Sequence, residues 1–588
     1  MDILLRLENL RRWMTNNHLD AFIVPSTDPH CGEYIPEHWE ARKWVSGFTG
    51  SAGTIVVTLK EAALWTDSRY FIQATQQLKG TGIQLMKDRM PGTPSIGNWL
   101  LSTLQEGCVV GLCGEVFANQ EVECLFNEIS PCLSIVSTED PFNILWENRP
   151  LIPTNPLYIQ PLRFAGKSTK EKLDDIRHEM SLAKVENYLL CALDEIAWVT
   201  NLRGNDVHCN PVFVSYLLIS QNTATLFINT QKLTEEVRLH LEESGISVAD
   251  YSKVFNAISK VDSILLDGGT TNHAVFNSLS ATCKVKMQKS PVAYMKAIKN
   301  QAEIEGFHQA MLRDGIAMVK FLKWLIPAVE KGGETELSVS NKLAQLRAEQ
   351  PYYIDISFDT IAGYQHHGAI VHYEPTAETD VLLKAEGFLL LDSGAQYLDG
   401  TTDITRTIAL GPVTSEMKHD YTLILKGFIQ LGLAKFPDGA SGTQLDILAR
   451  AALWKDGKNF FHGTGHGVGS HLCVHEGPHQ IRMNYMPAPL HAGMTVTDEP
   501  GLYLEGKYGI RTENTLLIVP YLETDFGRFL QFEHLTLCPI DTTPIDKKML
   551  TAEEIEWLNN YHQTVYDKIS PFLNTEEKTW LANATQPL

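Results

Sequence analysis

Phe388-Leu389-Leu390-Leu391-Asp392 is an apolar run that ends in a carboxylate, and after the turn Ser393 to Gly400 the chain returns as Thr401-Thr402-Asp403-Ile404-Thr405-Arg406-Thr407. The run reads as a buried strand and the alternating return as its partner, so a hairpin would bring Asp392 and Asp403 together. Gly493-Met494-Thr495-Val496-Thr497-Asp498-Glu499-Pro500 and Ile510-Arg511-Thr512-Glu513-Asn514-Thr515-Leu516-Leu517 repeat the design with glutamates. Two hairpins, each offering a pair of carboxylates, predict a site of approximate two-fold symmetry. Four carboxylates in one place repel unless cations neutralise them, and hard oxygen ligands suit Mn(II), Co(II) or Fe(II). Phe461-His462-Gly463-Thr464-Gly465-His466-Gly467-Val468-Gly469 adds imidazole. His462 and His466 are four apart, but the glycines argue against a helix and for a loop that lets backbone and metal approach closely. Any one of these carboxylates alone would read as a turn or surface residue; their matching contexts make the site. His471, His475 and His479 read, by themselves, as exposed loop residues, and only His475 gains from the resemblance below.

Working outward, Asn300 and Glu303 form a capping-box signature, and Ile304, Phe307, Met311, Met318 and Leu322 follow helical spacing. A long surface helix is expected there. Near the end, Thr551 with Glu554 precedes Ile555, Leu558, Tyr561, Val565 and Ile569, a capped one-faced helix for packing on its own domain or on a partner chain. The first third alternates strands and helices, with strands at Leu19 to Pro25, Gly53 to Thr58 and Ala62 to Trp65. Three prolines between 143 and 156 mark a linker. Trp44-Val45-Ser46-Gly47-Phe48-Thr49-Gly50-Ser51 is echoed by Trp198-Val199-Thr200-Asn201-Leu202-Arg203-Gly204-Asn205, each before a β-rich stretch, an echo that duplicated α/β modules would produce. The chain then divides into domains 1–154, 155–290 and 291–588.

A length of 588 residues implies several domains, and 44% apolar with 20% charged residues is a globular composition. The formal charge is 49 − 70 = −21, with no run of Lys and Arg to follow a phosphate backbone, so nucleic acid is not an expected partner. No stretch has the length of a membrane span, and the charged start Met1 to Met14 lacks the apolar core of a signal peptide, so a cytoplasmic enzyme is expected. The ten cysteines are scattered, as free thiols would be.

These residues resemble the pita-bread metallopeptidases of family M24, which include methionine aminopeptidase, prolidase and Xaa-Pro aminopeptidase. Asp392-Ser-Gly, Thr402-Asp403, His466, Asp498-Glu499-Pro500 and Glu513-Asn514 fall where that family has its five dimetal ligands. The segments Asp399-Gly-Thr-Thr-Asp-Ile-Thr-Arg-Thr, His462-Gly-Thr-Gly-His-Gly-Val-Gly and Val474-His-Glu-Gly-Pro are similar to the three-domain cytosolic Xaa-Pro aminopeptidases. So are Gly50-Ser-Ala-Gly-Thr, Trp65-Thr-Asp-Ser-Arg-Tyr-Phe and Trp557-Leu-Asn-Asn-Tyr-His, which extend the likeness over the whole chain. His366 and His367 match no ligand position, and Leu502 and Thr512 depart from the common pattern.

The resemblance implies an α/β (α+β) chain: two α/β N-terminal domains of similar build, the first creatinase-like, then a C-terminal pita-bread catalytic domain with a helical extension. It implies two divalent metals, most readily Mn(II), with Asp392 on one, His466 and Glu499 on the other, and Asp403 and Glu513 bridging. A hydroxide between the metals would attack the scissile carbonyl, with Glu499 as proton shuttle. His372 and His475 would flank the substrate carbonyl and amide, His462 would line the proline pocket, and Arg511 would hold ligand carboxylates. Arg69 resembles a residue that reaches the peptide from the first domain. The implied reaction removes the first residue from peptides with proline in second position, by a homodimer. The rivals are a prolidase acting on Xaa-Pro dipeptides, a non-catalytic pita-bread peptide-binding module, and a metal-free relative of the creatinase kind.

Overall fold

The computed structural model describes residues 2–588, and the chain divides into two compact units. Residues 2–160 and Lys167–Val292 form the first; Pro161–Gly166 and Ala293–Leu588 form the second.

The first unit contains two six-stranded sheets built to one plan. In the first sheet the order is Gln84–Lys87, Ala62–Thr66, Thr54–Thr58, Ala21–Val24, Val109–Cys113, Ser134–Thr138. In the second it is Ile246–Ala249, Ala224–Ile228, Ser215–Ser220, Asn187–Leu190, Ser263–Leu266, Lys284–Met287. Numbered along the chain, both read 4-3-2-1-5-6. Both also carry the same directions: strands 1, 2 and 3 pair antiparallel, while 3 with 4, 1 with 5 and 5 with 6 pair parallel. The expected strands are present, and Ala21–Val24 is buried throughout because it lies centrally. The echoed tryptophan segments occupy one structural place. The helix Ala41–Ser46 ends in the left-handed Gly47 at φ 74°, and the helix Leu193–Thr200 ends in the left-handed Asn201 at φ 51°. Glycine and asparagine are the residues that tolerate this C-cap conformation, which is why eight residues of sequence carried the signal.

The second unit opens with the capped helix Gln301–Lys331, in which both halves of the Asn300 and Glu303 capping box are formed. It is not a surface helix. Phe307, Met311, Met318, Phe321 and Leu325 are buried, and so are Glu303, Gly306, Asp314 and Gly315. A Cβ at Gly306 would collide with the Asp399 carbonyl, and one at Gly315 with the Leu537 carbonyl, so glycine lets the backbone close in on both sides. Asp314 is neutralised by a bidentate pair with the buried Arg347, whose Nε and Nη2 donate at 2.9 and 3.0 Å. Helices Glu336–Ala348, Ser415–Gly432 and Gly442–Lys455 complete the inner helical layer.

Against these helices lie two sheets, Ile361–Tyr364, Phe388–Ser393, Ile404–Ala409 and Lys435–Pro437, Gly527–His534, Asn514–Thr524, Thr495–Asp498. The C-terminal helix Ala552–Ile569 has its capping box and buries Leu558, Tyr561, Val565 and Ile569 in its own unit's core, beside Phe428 and Ile540. Its apolar face is thereby covered without a partner chain. The cysteines are free thiols.

Candidate active site

Each predicted hairpin forms, and each is interrupted near its middle. In the first, Phe388–Ser393 pairs with Ile404–Ala409 from Phe388 opposite Ala409 to Ser393 opposite Ile404. The ladder then breaks at Gly394 and at Thr402 with Asp403, and resumes as Gln396 opposite Thr401 in a different sheet. A Cβ at Gly394 would strike the Thr402 carbonyl, so the break requires glycine. In the second, Asp498 pairs with Asn514 and Gly501 with Arg511, leaving Glu499-Pro500 and Thr512-Glu513 unpaired between them. Residues outside a ladder can turn their side chains inward together. Asp403, Glu499 and Glu513 sit at the breaks, and Asp392 two residues before the one at Gly394.

The loop before Val468 forms a short strand, Gly465–Gly467. Its His466 Nε2 lies 3.5 Å from both Asp403 Oδ2 and Glu499 Oε1. Ligand atoms of Asp403, His466 and Glu513 lie within 4.8 Å of one another. Asp392 joins through Arg511, whose Nη2 donates to Asp392 Oδ2 at 2.6 Å. The same guanidinium donates to Thr405 Oγ1 (3.1 Å), Tyr503 OH (2.7 Å) and the Val371 carbonyl (3.3 Å). Thr405 Oγ1 in turn donates to Glu513 Oε2 at 2.8 Å.

Burial and mutual repulsion control the electrostatics. Asp403 is pushed well above the ordinary carboxylate range by burial, then by Asp392 and Glu499. Glu513 is raised the same way by burial, Asp403 and Glu499. Burial pushes Glu499 up to about 7 despite the opposing Arg511. One guanidinium thus serves a site of four carboxylates, three of them buried and Glu499 half-buried.

Three features of the side chains fit divalent cations. Asp392 Oδ1 is buried without a hydrogen-bond partner although Oδ2 is paired. His466 Nδ1 lies 2.9 Å from the Gly467 carbonyl, which can only accept, so Nδ1 carries the proton and the Nε2 lone pair is aimed at two carboxylates. That orientation is the one a metal-ligating imidazole takes, and the donor set of one imidazole and four carboxylates suits a hard dimetal pair.

The remaining predicted residues divide by location. His475 stands edge-on to His466, ring centroids 4.3 Å apart. His372 is half-buried and follows Val371, the residue tied to Arg511. His462 Nδ1 is 2.6 Å from the Gly463 carbonyl and so carries a proton, and its Nε2 is 2.8 Å from Tyr503 OH, which also accepts from Arg511. Both nitrogens of His462 are therefore engaged. Arg69 belongs to the first unit, where Asp67 holds it bidentately (2.9 and 2.8 Å) and Glu33 accepts from Nη1 at 3.0 Å. His471 and His479 are fully buried, not exposed loop residues, and His479 Nε2 is bonded to the Thr495 carbonyl at 2.7 Å. His366 is exposed, while His367 Nδ1 is bonded to the buried Glu336 at 2.9 Å.

Sequence reasoning missed Tyr503, Thr405 and a charged cluster behind His475. There the buried Glu476 pairs with Lys296 Nζ at 2.7 Å and with Lys299 Nζ, both lysines also buried. Spacing does signal Tyr503, since Gly501, Tyr503 and the facing Arg511 and Gly509 alternate along one hairpin.

The catalytic unit matches the model of metallopeptidase family M24 over residues 305–520 and that of its C-terminal region over 528–588. Models of the creatinase/prolidase N-terminal domain match 6–144 and 148–303. The probable Xaa-Pro aminopeptidase P of Botryotinia fuckeliana is 40% identical over 99% of this chain and 92% of its own. Aminopeptidase P1 of Arabidopsis thaliana is 38% identical over 99% of both chains. The crystal structure of X-prolyl aminopeptidase from Caenorhabditis elegans, described as a cytosolic enzyme with a di-nuclear active site, superposes with a TM-score of 0.96 at 36% identity over 100% of both chains. A Xaa-Pro dipeptidase from Bacillus anthracis shares the fold at a TM-score of 0.52 and 23% identity, covering 64% of this chain and 99% of its own.

Proposed function

This chain belongs to metallopeptidase family M24 and is a metal-dependent Xaa-Pro aminopeptidase, and from that premise we propose how its residues divide the work on peptides with proline in second position. The observation that carries the reading is the convergence of Asp392, Asp403, Glu499, Glu513 and the Nε2 lone pair of His466 at two broken hairpins. Those five side chains would hold two divalent ions, with Mn(II) proposed as the metal because the donors are hard. When bound, the cations supply Lewis acidity, acidifying water and stabilising negative charge on the scissile carbonyl.

Proline imposes the rest. Its amide has no N–H, and the ring nitrogen must gain a proton to leave. Glu499, whose Oε1 accepts from Thr497 Oγ1 at 3.3 Å, is proposed to take a proton from the attacking water and deliver it to that nitrogen. His372 and His475 are proposed to orient the substrate amide and carbonyl, and Arg511 to hold Asp392 in place. His462 has both nitrogens engaged and a face against Phe460 (centroids 4.9 Å apart), which leaves carbon surface suited to an apolar proline ring. Arg69 is proposed as a further substrate-binding residue.

A homodimer is proposed. The C-terminal helix no longer argues for it, but Tyr521, Leu522 and Phe526 stand exposed at the tip of the long hairpin of the catalytic unit, Phe526 at 92%. A cytoplasmic location is proposed from the description of the nematode relative; among the described residues no helix is long and apolar enough to cross a membrane. The deciding assay compares Arg-Pro-Pro with Gly-Pro in Mn(II), read by mass spectrometry. Release of free arginine from the tripeptide is expected. Strong cleavage of the dipeptide with little of the tripeptide would favour prolidase instead.

A further inference from the structure

Behind the ligand-bearing breaks lies Arg406, 2% exposed. Its Nη1 donates to the Glu513 carbonyl at 2.6 Å and the Thr405 carbonyl at 3.0 Å, and its Nη2 to Asn514 Oδ1 at 2.9 Å. These acceptors belong to the two segments that carry Asp403 and Glu513, which are also joined by the Glu513 amide donating to the Thr405 carbonyl at 3.1 Å. On its other side the guanidinium donates to the carbonyls of Pro539 (Nε, 3.0 Å) and Cys538 (Nη2, 2.9 Å), and to Tyr561 OH (Nη2, 3.1 Å).

Tyr561 is on the C-terminal helix, in the Trp557-Leu-Asn-Asn-Tyr-His segment to which the reaction gives no task. Its hydroxyl is also 3.0 Å from the Thr536 and Cys538 carbonyls, and its ring stacks on Trp557 with centroids 5.3 Å apart. The next residue, His562, accepts from the Ile540 amide through Nε2 at 3.1 Å. Two neighbouring helical side chains thus fix the segment 536–540, whose carbonyls hold Arg406. A buried guanidinium with this many acceptors has one orientation open to it, because moving would leave N–H groups unpaired.

We propose that the C-terminal helical region completes the metal site, with Tyr561 as a positioning residue that acts through Arg406 to set the spacing of Asp403 and Glu513. This rests on the reading of those carboxylates as metal ligands. Partners one shell out from a metal typically tune its affinity 10- to 100-fold.

The test is Mn(II) affinity of the full-length protein, measured by competition with a chromophoric chelator. Tyr561→Phe keeps the ring and removes the hydroxyl, and because it stands behind Arg406 it is expected to weaken binding by up to about 10-fold. Its kcat should return towards wild type at saturating Mn(II). Val565→Ala, one turn further along the same helix and fully buried but without a polar atom to bond Arg406, serves as the destabilised control and is expected to keep wild-type affinity at a temperature where it is folded. Unchanged affinity in Tyr561→Phe would overturn the proposal, and so would an equal loss in Val565→Ala, which would make the helix a matter of stability alone. If wild type bound Mn(II) no better than Asp403→Ala, the ligand assignment itself would fall.

Discussion

Replacing Glu476 with glutamine leaves two buried ammonium groups facing one amide. In the native protein Lys296 Nζ is 2.7 Å from Glu476 Oε2 and Lys299 Nζ is bonded to Oε1, with all three side chains at most 2% exposed. At an effective dielectric near 20, a pair at that distance attracts by about 6 kcal/mol before desolvation is counted. The amide oxygen can accept from one lysine, but the NH2 group presents hydrogens to the other. Breaking a buried pair in this way costs about 3–5 kcal/mol, and that is the expected loss of stability in the catalytic unit at pH 7. Lys299 is already lowered by burial, against the opposing pull of Glu476. Without the carboxylate its folded-state pKa falls further below the unfolded value of about 10.4. The folded variant then binds fewer protons than the unfolded chain, so its stability rises with pH in that window, and the deficit against wild type should shrink between pH 7 and pH 9. Pulse proteolysis across a urea series at both pH values, scoring fragments of the catalytic unit, measures this. A deficit below about 1 kcal/mol at pH 7, or one that does not shrink by pH 9, would refute the reasoning.

Other expectations bear on the site and the core. Asp403→Ala should abolish activity and Mn(II) binding while the far-ultraviolet circular dichroism stays native; full activity would remove the dimetal assignment. His475→Ala and His372→Ala should each lower kcat by about 10²-fold or more with metal content unchanged, and metal lost in step with activity would make them ligands. In Leu558→Ala, where the leucine is fully buried between the C-terminal helix and Phe428, the catalytic unit should lose about 2–5 kcal/mol by urea denaturation, with KM unchanged below the transition. Acetylating the N-terminus of Arg-Pro-Pro should lower kcat/KM by about 10²-fold or more if the free amine is recognised.

The strands around the site were legible because their signal is local. Phe388 to Leu391 is an apolar run of strand length, and the carboxylate after it and the returning Thr401 to Thr407 alternate as an antiparallel partner must. The breaks in the two ladders were not visible, although Gly394 marks one of them. The helix Gln301–Lys331 reads as a surface helix because Glu303, Asp314 and two glycines interrupt its apolar stripe. Their reasons lie far away, in Arg347, Asp399 and Leu537, and spacing within one helix cannot report them. His479 misled in the same way: a histidine beside a glycine-rich stretch looks solvated until it is bonded to the strand Thr495–Asp498. Arg406 and Tyr561 are 155 residues apart, and nothing near either names the other.

The two interrupted hairpins have a kinetic consequence. Each can close on its own, since its strands are neighbours in the chain, but neither holds a complete ligand set, and the pair from Arg511 to Asp392 joins one to the other. The site is therefore one of the places where the two hairpins are joined, and an unfolding chain that separates them must part there. An ion bridging that seam would slow the parting far more than it would speed assembly, so bound metal should lengthen the lifetime of the folded enzyme chiefly through its unfolding rate.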